Sequence, residues 1–369
     1  MTLPISRLRI AGTELPIATH HLSCQVQVTR DALGRRTLSV SASGHAPPAL
    51  TAVTWTSAVT VEWRDLESES AAWTALAILS AGWERTDDLS GITVAWSLKG
   101  VEASATASPV TLGGTHYWGT VQVSAPRALT RRQVQIKGEG VSAPTAAGGS
   151  VTVASGPFNG SLITLGVASQ TDAATGLISW TLDGWEAPSG GALISLGAAT
   201  YWASVEVSTG RSGARKTLRV SGESVAVPAT VGAAVTLTSA AYTGTFLVGS
   251  VTATQAPETG LLTWQLSGWD GASGAGAVSL AGTSFWGRVA REPLGGVIQR
   301  KTDGSGTFLH AWAKSRVTIT GDGASAPAVS GVVAVVSSVY SGNLLVAGTS
   351  VSLDPETGLV SWTVAGEQP

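Results

Sequence analysis

Five histidines, one cysteine and a few carboxylates next to glycine turns are the side chains of this sequence that could do chemistry. The histidines are His20, His21, His45, His116 and His310. None stands in an HExxH or His-x-His spacing. His20 and His21 are adjacent, so on a strand they face opposite sides. A metal site would need His45 or His116 to join one of them across strands. Asp172, Glu258 and Asp354 stand at equivalent or nearly equivalent places before recurring strands. That recurrence reads as turn formation, whereas glycoside hydrolysis needs two carboxylates converging on one cleft. Cys24 is alone, so neither an internal disulfide nor a cysteine zinc site can be built. It reads as a small apolar strand residue rather than a nucleophile. No GxSxG motif occurs. The glycines of TLGGT and GWDGASGAGA fall between strands, not in the strand–loop–helix setting a phosphate loop requires. TDGSG (302–306) and GDGAS (321–325) lack the alternating carboxylates and closing Glu of a calcium loop. The expectation is a protein that is not an enzyme, with no metal and no cofactor.

Composition narrows the remaining classes. Only 12% of the 369 residues are charged, about half the usual share, and 43% are hydrophobic. The formal net charge of −2 excludes a global basic field for nucleic acid. The hydrophobic content speaks against wholesale disorder. Mean hydropathy is +0.24, which raises the question of a membrane span. The charge-free stretch from Val141 to Thr171 contains Pro144, Pro157 and Asn159, so it is not a spanning helix. The segment MTLPISRLRIAGTELP is interrupted by Arg7 and Arg9 and does not read as a signal peptide.

The elements that would carry any site are repeated. LISWTLDGW (177–185) and LLTWQLSGW (261–269) are copies of one phrase, echoed by ITVAWSLKG (92–100) and LVSWTVAG (359–366). Trp96, Trp180 and Trp264 are spaced by 84 residues, and Trp362 follows after 98. A second phrase ends at Trp118, Trp202 and Trp286, again 84 apart, with His21-Leu22 as the N-terminal counterpart. A third is RRTLSVSASG, RRQVQIKGEG, RKTLRVSGES and SRVTITGDG, followed by Pro48, Pro144, Pro228 and Pro327. A fourth is aromatic-x-Gly, at Phe158, Tyr242 and Tyr340. Four phrases in one order indicate tandem domains. We place them at 1–100, 101–186, 187–270 and 271–369. The first carries an insertion and the fourth an extended hairpin arm over 291–316.

Period-two alternation makes the units β-structure. In LISWTL, Ile178, Trp180 and Leu182 share one face. TDAATG, APETG and DPETG precede the Trp strand, with Gly supplying a positive φ in a hairpin with a G1-type bulge. ESESAAWTALAILSA (67–81) is helical by composition, but the repeat makes its second half a strand. The fold class is therefore all-β: four tandem small β-sandwich or barrel (Ig-like) domains of about 84 residues, each with six to eight strands. Trp96, Trp118, Trp180, Trp202, Trp264, Trp286 and Trp362 are the expected structural core, with Trp63. Trp185 and Trp269 fall where domains meet.

Copy-specific insertions are the candidate contact regions. The arm REPLGGVIQRKTDGSGTFLHAWAKSR reads as a hairpin with TDGSG at its tip, positive through Arg291, Arg300, Lys301, Lys314 and Arg316. Its Arg291, Arg300, Lys301, Phe308 and Trp312, with Trp73 of the first copy, are the candidate partner-contact residues. So few charges over so long a chain suggest surface hidden in neighbours.

With four TLGGTHYW/LISWTLDGW-type units in a row, the chain resembles, in architecture, the tail and baseplate proteins of long-tailed bacteriophages. The resemblance implies a multicopy virion part at the tail tip, made in the host cytoplasm and ringed around a central hub. Its partners would be further copies of itself, other virion proteins and a host cell-surface receptor. No nucleic acid and no membrane insertion are expected. Two other readings stay open: a receptor- or glycan-binding module using exposed Trp, and an extracellular adhesin of Ig-like repeats. Exposed aromatic clusters at one loop end would favour the glycan binder. Large apolar faces on domain sides would favour the assembly part.

Overall fold

The computed structural model describes residues 2–15, 23–30, 34–46, 48, 50, 53, 55–65, 72–87, 93–125, 131–145, 149–173, 175–209, 215–271, 273–294, 314–354 and 358–369. The chain divides into two compact units, Met1–Ser189 and Gly190–Pro369. Each holds two β-barrels, and every element among the described residues is a strand.

The first unit opens with β1 (Thr2–Ile10), β2 (Thr13–Leu15), β3 (Ser23–Arg30), β4 (Arg36–Gly44), β5 (Val59–Asp65), β6 (Thr74–Leu79), β7 (Trp83–Asp87) and β8 (Val94–Glu102). Neighbours run β1–β3–β4–β8–β6–β5, and pairing of β5 with β1 joins the ends. β2 pairs with β1 and β7 with β8. The second barrel has β9 (Ser108–Leu112), β10 (Thr115–Ser124), β11 (Gln133–Gly140), β12 (Ser150–Ala154), β13 (Asn159–Thr171) and β14 (Ile178–Glu186), closed in the order β10–β11–β14–β13–β12–β9.

The second unit repeats this wiring twice. Its first barrel has β15 (Ala192–Leu196), β16 (Ala199–Thr209), β17 (Lys216–Ser224), β18 (Ala234–Thr238), β19 (Thr243–Gln255) and β20 (Leu262–Asp270). Its second has β21 (Gly276–Leu280), β22 (Thr283–Pro293), β23 (Ser315–Gly323), β24 (Val332–Val336), β25 (Ser341–Leu353) and β26 (Val360–Glu367). Both close in the same strand order. Ring closure pairs most of the strand edges, while the far halves of β13, β19 and β25 pair with one neighbour only.

Local chemistry explains the recurring phrases. Gly176, Gly260 and Gly358 take φ near 70° and close the turn before each Trp strand. The Gly176 N–H donates to the Asp172 carbonyl at 2.8 Å, and the Asp172 N–H to the Leu177 carbonyl at 2.8 Å. The same two bonds recur at Ala256 and Asp354, so Glu258 sits two positions further on and is not the counterpart of Asp172. The aromatic-x-Gly phrase is a serine turn. Ser155, Ser239 and Ser337 each accept from the N–H of Phe158, Tyr242 or Tyr340 at 3.0–3.1 Å. Thr74–Leu79 is a strand, as the repeat requires.

Each barrel has its own core, with Trp96, Trp180, Trp264 or Trp362 at its centre. Trp63 is buried as well. The second Trp series behaves differently: Trp118, Trp202 and Trp286 are only half-buried and lie outside these four cores. Alternation is the reason. The residue before each points inward, so Tyr117, Tyr201 and Phe285 meet Trp180, Trp264 and Trp362 edge-on at 5.4, 5.9 and 5.6 Å. The N-terminal counterpart also moves by one residue. Ser23 lies opposite Ser43 as Trp118 lies opposite Glu139, so Ser23, not Leu22, holds the Trp position. His21 and Leu22 lie outside the described residues.

Candidate functional site

The strands bring chemistry-bearing side chains together chiefly where one barrel meets the next within a unit. In the first unit, Leu79, Val101 and Ala103 at the trailing end of the first barrel form a buried cluster with Leu177 of the second. Ala58, Ala77, Trp118 and Val141 pack against it. The outward Trp118 thus serves the junction, and its indole N–H donates to the Ser104 carbonyl at 3.0 Å. Arg35 spans the same junction. One guanidinium nitrogen reaches Glu139 Oε1 at 2.7 Å and another the Glu102 carbonyl at 2.7 Å.

The second unit uses the same device. Arg215, at the position of Arg35, reaches Asp322 of the following barrel at 2.5 Å, and Ser361 Oγ donates to the same carboxylate at 2.6 Å. The basic start of the third phrase in copies one and three (Arg35, Arg215) and its acidic finish in copies two and four (Glu139, Asp322) are the sequence signal for this pairing. Repeat reading alone did not show that the two halves of the signal act between successive barrels.

In the first two barrels the arginine that follows holds a carboxylate within its own barrel. Arg36 bonds Glu102 at 2.5 Å and Arg132 bonds Glu186 at 2.6 Å. The Arg36 hydrogen bond, opposed by desolvation, holds the Glu102 carboxyl down at about 2. The Arg132 hydrogen bond likewise lowers Glu186.

The candidate contact residues are distributed differently from expectation. Trp73 is half-buried and lies between two guanidinium groups, Arg9 at 4.1 Å and Arg64 at 4.7 Å from its ring centroid. It is therefore tied to its own barrel. Arg291 lies at the end of β22, bonds Ser315 Oγ at 2.9 Å and stands 6.0 Å from the Tyr340 ring centroid. Arg300, Lys301, Phe308 and Trp312 lie outside the described residues. The base of the arm is paired, with Pro293 opposite Ser315. Cys24 is buried, and desolvation pushes its thiol up to about 12, the reverse of an activated nucleophile. Among the described residues, no group of three His, Cys, Asp or Glu side chains could hold a metal ion.

Sequence reasoning missed the exposed aliphatic side chains of the fourth barrel. Val332, Val336, Val339, Leu345, Val351 and Leu353 are exposed, whereas Val225 and Val231 are the only other large hydrophobic side chains so exposed among the described residues. All are aliphatic. Residues 323–353 carry no charged side chain. Repeat comparison supplies the signal: Val332 and Val336 stand where the third barrel has Ala234 and Thr238.

Closed, six-membered antiparallel barrels with one shared strand order define the class of this chain by fold. No protein-family model, no curated protein and no solved structure matches it.

Proposed function

We propose that this chain is a non-enzymatic structural component of a bacteriophage tail tip or baseplate, present in several copies and assembling through barrel faces and insertion loops. The observation that carries the assembly reading is the set of exposed aliphatic side chains on the fourth barrel, Val332, Val336, Val339, Leu345, Val351 and Leu353. Large aliphatic side chains left in water gain by being covered in a contact. A glycan-stacking site would instead offer exposed aromatic rings, and the exposed large hydrophobics of the described residues include none. Placement in a virion rests on the resemblance of the repeated small β-domains to tail proteins. The repeated barrels support a scaffold role, since each keeps its own core while its outer surface varies.

The test is antibody labelling of tailed particles, with mass spectrometry of purified virions. Label at the tail tip and a multicopy stoichiometry are expected. Absence of the chain from the particles, together with binding of the purified protein on a glycan array, would replace this reading with that of a secreted or surface-bound binder.

A further inference from the structure

The far half of β25 is an open strand edge. Residues 341–345 pair with β24, but residues 348–353 pair with β26 alone among the described residues. The ladder shows which backbone groups turn away from the barrel. The Asp354 N–H donates to the Leu359 carbonyl at 2.8 Å. Bonded and non-bonded pairs alternate along an antiparallel ladder. Ser350 and Ser352 therefore bond β26, while Thr349, Val351 and Leu353 direct their N–H and C=O groups outward. Every residue from 347 to 353 is exposed.

The opening belongs to the barrel and not to its place in the array. The third barrel is followed by another and still leaves residues 252–255 of β19 exposed at the equivalent place. What differs between barrels is the guard on this edge. Opposite the core tryptophan stand Arg85 in the first barrel, Ser169 in the second, Ala253 in the third and Val351 in the fourth. Two residues further on stand Asp87, Thr171, Gln255 and Leu353. Charged side chains on an edge keep other strands from adding to it. The fourth barrel has aliphatic residues at both places, 61% and 65% exposed, within a charge-free stretch from 323 to 353. Being two apart, Val351 and Leu353 share one face of the strand.

From this we infer that the outer edge of β25, over residues 348–353, takes an added β-strand: an extended, uncharged segment of another protein with aliphatic side chains at alternate positions. The outward groups identify the occupant. A row of N–H and C=O groups at strand spacing is matched by another extended backbone, which gains main-chain hydrogen bonds there. The run holds no charge to pair with a charged segment. Val351 and Leu353 offer apolar contact to every second side chain of the added strand. The described strands of this chain are held in their own barrels, so a segment free to lie along the edge comes from a neighbour. The inference rests on the assembly reading for that neighbour, and on the β25–β26 ladder for the edge itself.

The experiment is amide hydrogen exchange of the full chain, read by NMR, with and without a blocked synthetic peptide of alternating threonine and valine. Bound peptide should slow exchange at Thr349, Val351 and Leu353 roughly tenfold or more, because their N–H groups gain partners. The same peptide methylated on every second amide is used in both phases. One phase should bind and the other fail, since an added strand turns only one edge to the barrel. Val351→Lys restores a charged guard of the kind Arg85 supplies, and Val351→Pro removes an outward N–H while sparing the β26 ladder. Each should weaken binding roughly tenfold or more, and Val351→Lys should melt as wild type because the side chain is exposed. Absence of peptide binding at millimolar concentration, equal binding of both methylated phases, or wild-type binding by Val351→Lys overturns the inference. Protection of the same three amides by self-association, without peptide, makes a second copy the occupant and overturns the foreign strand. A chain found at the tail tip that binds no peptide overturns this contact alone, whereas peptide binding by a chain absent from particles overturns the virion reading alone.

Discussion

Trp180 lies directly across the β11–β14 ladder from Gly138, and its indole fills the space that a side chain at Gly138 would need. Trp264 faces Gly222 and Trp362 faces Gly321 in the same way, while Trp96 faces Ala42. In the second, third and fourth barrels one tryptophan is therefore folded over a glycine of the neighbouring strand and closed in by Tyr117, Tyr201 or Phe285. Trp180→Ala should destabilise the second barrel by about 3–5 kcal/mol, through lost burial and the cavity left behind. Gly138→Ala should also destabilise it, because the new methyl must displace the indole. Thermal melting with near-UV circular dichroism checks both. An unshifted transition for Trp180→Ala would remove that residue from the core.

The Arg35–Glu139 contact joins two barrels at 2.7 Å with both side chains partly buried. A double-mutant cycle with Arg35→Ala and Glu139→Ala should give a coupling energy of about 1 kcal/mol in chemical denaturation. The cores themselves should stay intact, since neither residue belongs to one. Strictly additive losses would show that the pair contributes nothing to the junction.

Glu102 supplies a pH dependence with a definite sign. Its carboxyl titrates lower in the folded protein, at about 2, than its ordinary value of 4.5, because Arg36 bonds the charged form. The stabilisation is therefore fully present above pH about 4.5 and is lost as pH falls towards about 2. Glu102→Gln should flatten that part of the acid limb of stability against pH, read by denaturant unfolding between about pH 5 and 2. An acid limb identical to wild type would show that the pair does not persist in solution.

Cys24 is buried in the first barrel with its thiol pushed up to about 12. The native protein should not react with a thiol-specific disulfide reagent at about pH 8 over minutes, and one thiol per chain should appear on unfolding. Rapid reaction of the folded protein would place Cys24 at the surface.

Much of this protein follows from its residues alone. Period-two alternation marks LISWTL and its copies as strands, because only one face of each is apolar. The DPETG-type turns follow from a glycine that must take a positive φ. The 84-residue recurrence of Trp96, Trp180 and Trp264 follows from a unit whose core is rebuilt in each copy. What a strand residue faces was not decided locally. Tyr117 and Trp118 are adjacent, large and aromatic, so composition could not say which enters the core; the β10–β11 and β11–β14 registers put Tyr117 against Trp180 and Trp118 at the junction. Arg35 and Glu139 are 104 residues apart, and Leu345 resembles Leu79 and Leu247 in every local respect. Leu79 is buried with Leu177 of the next barrel while Leu345 stays in water, because burial depends on what lies across the surface and not on the residue itself.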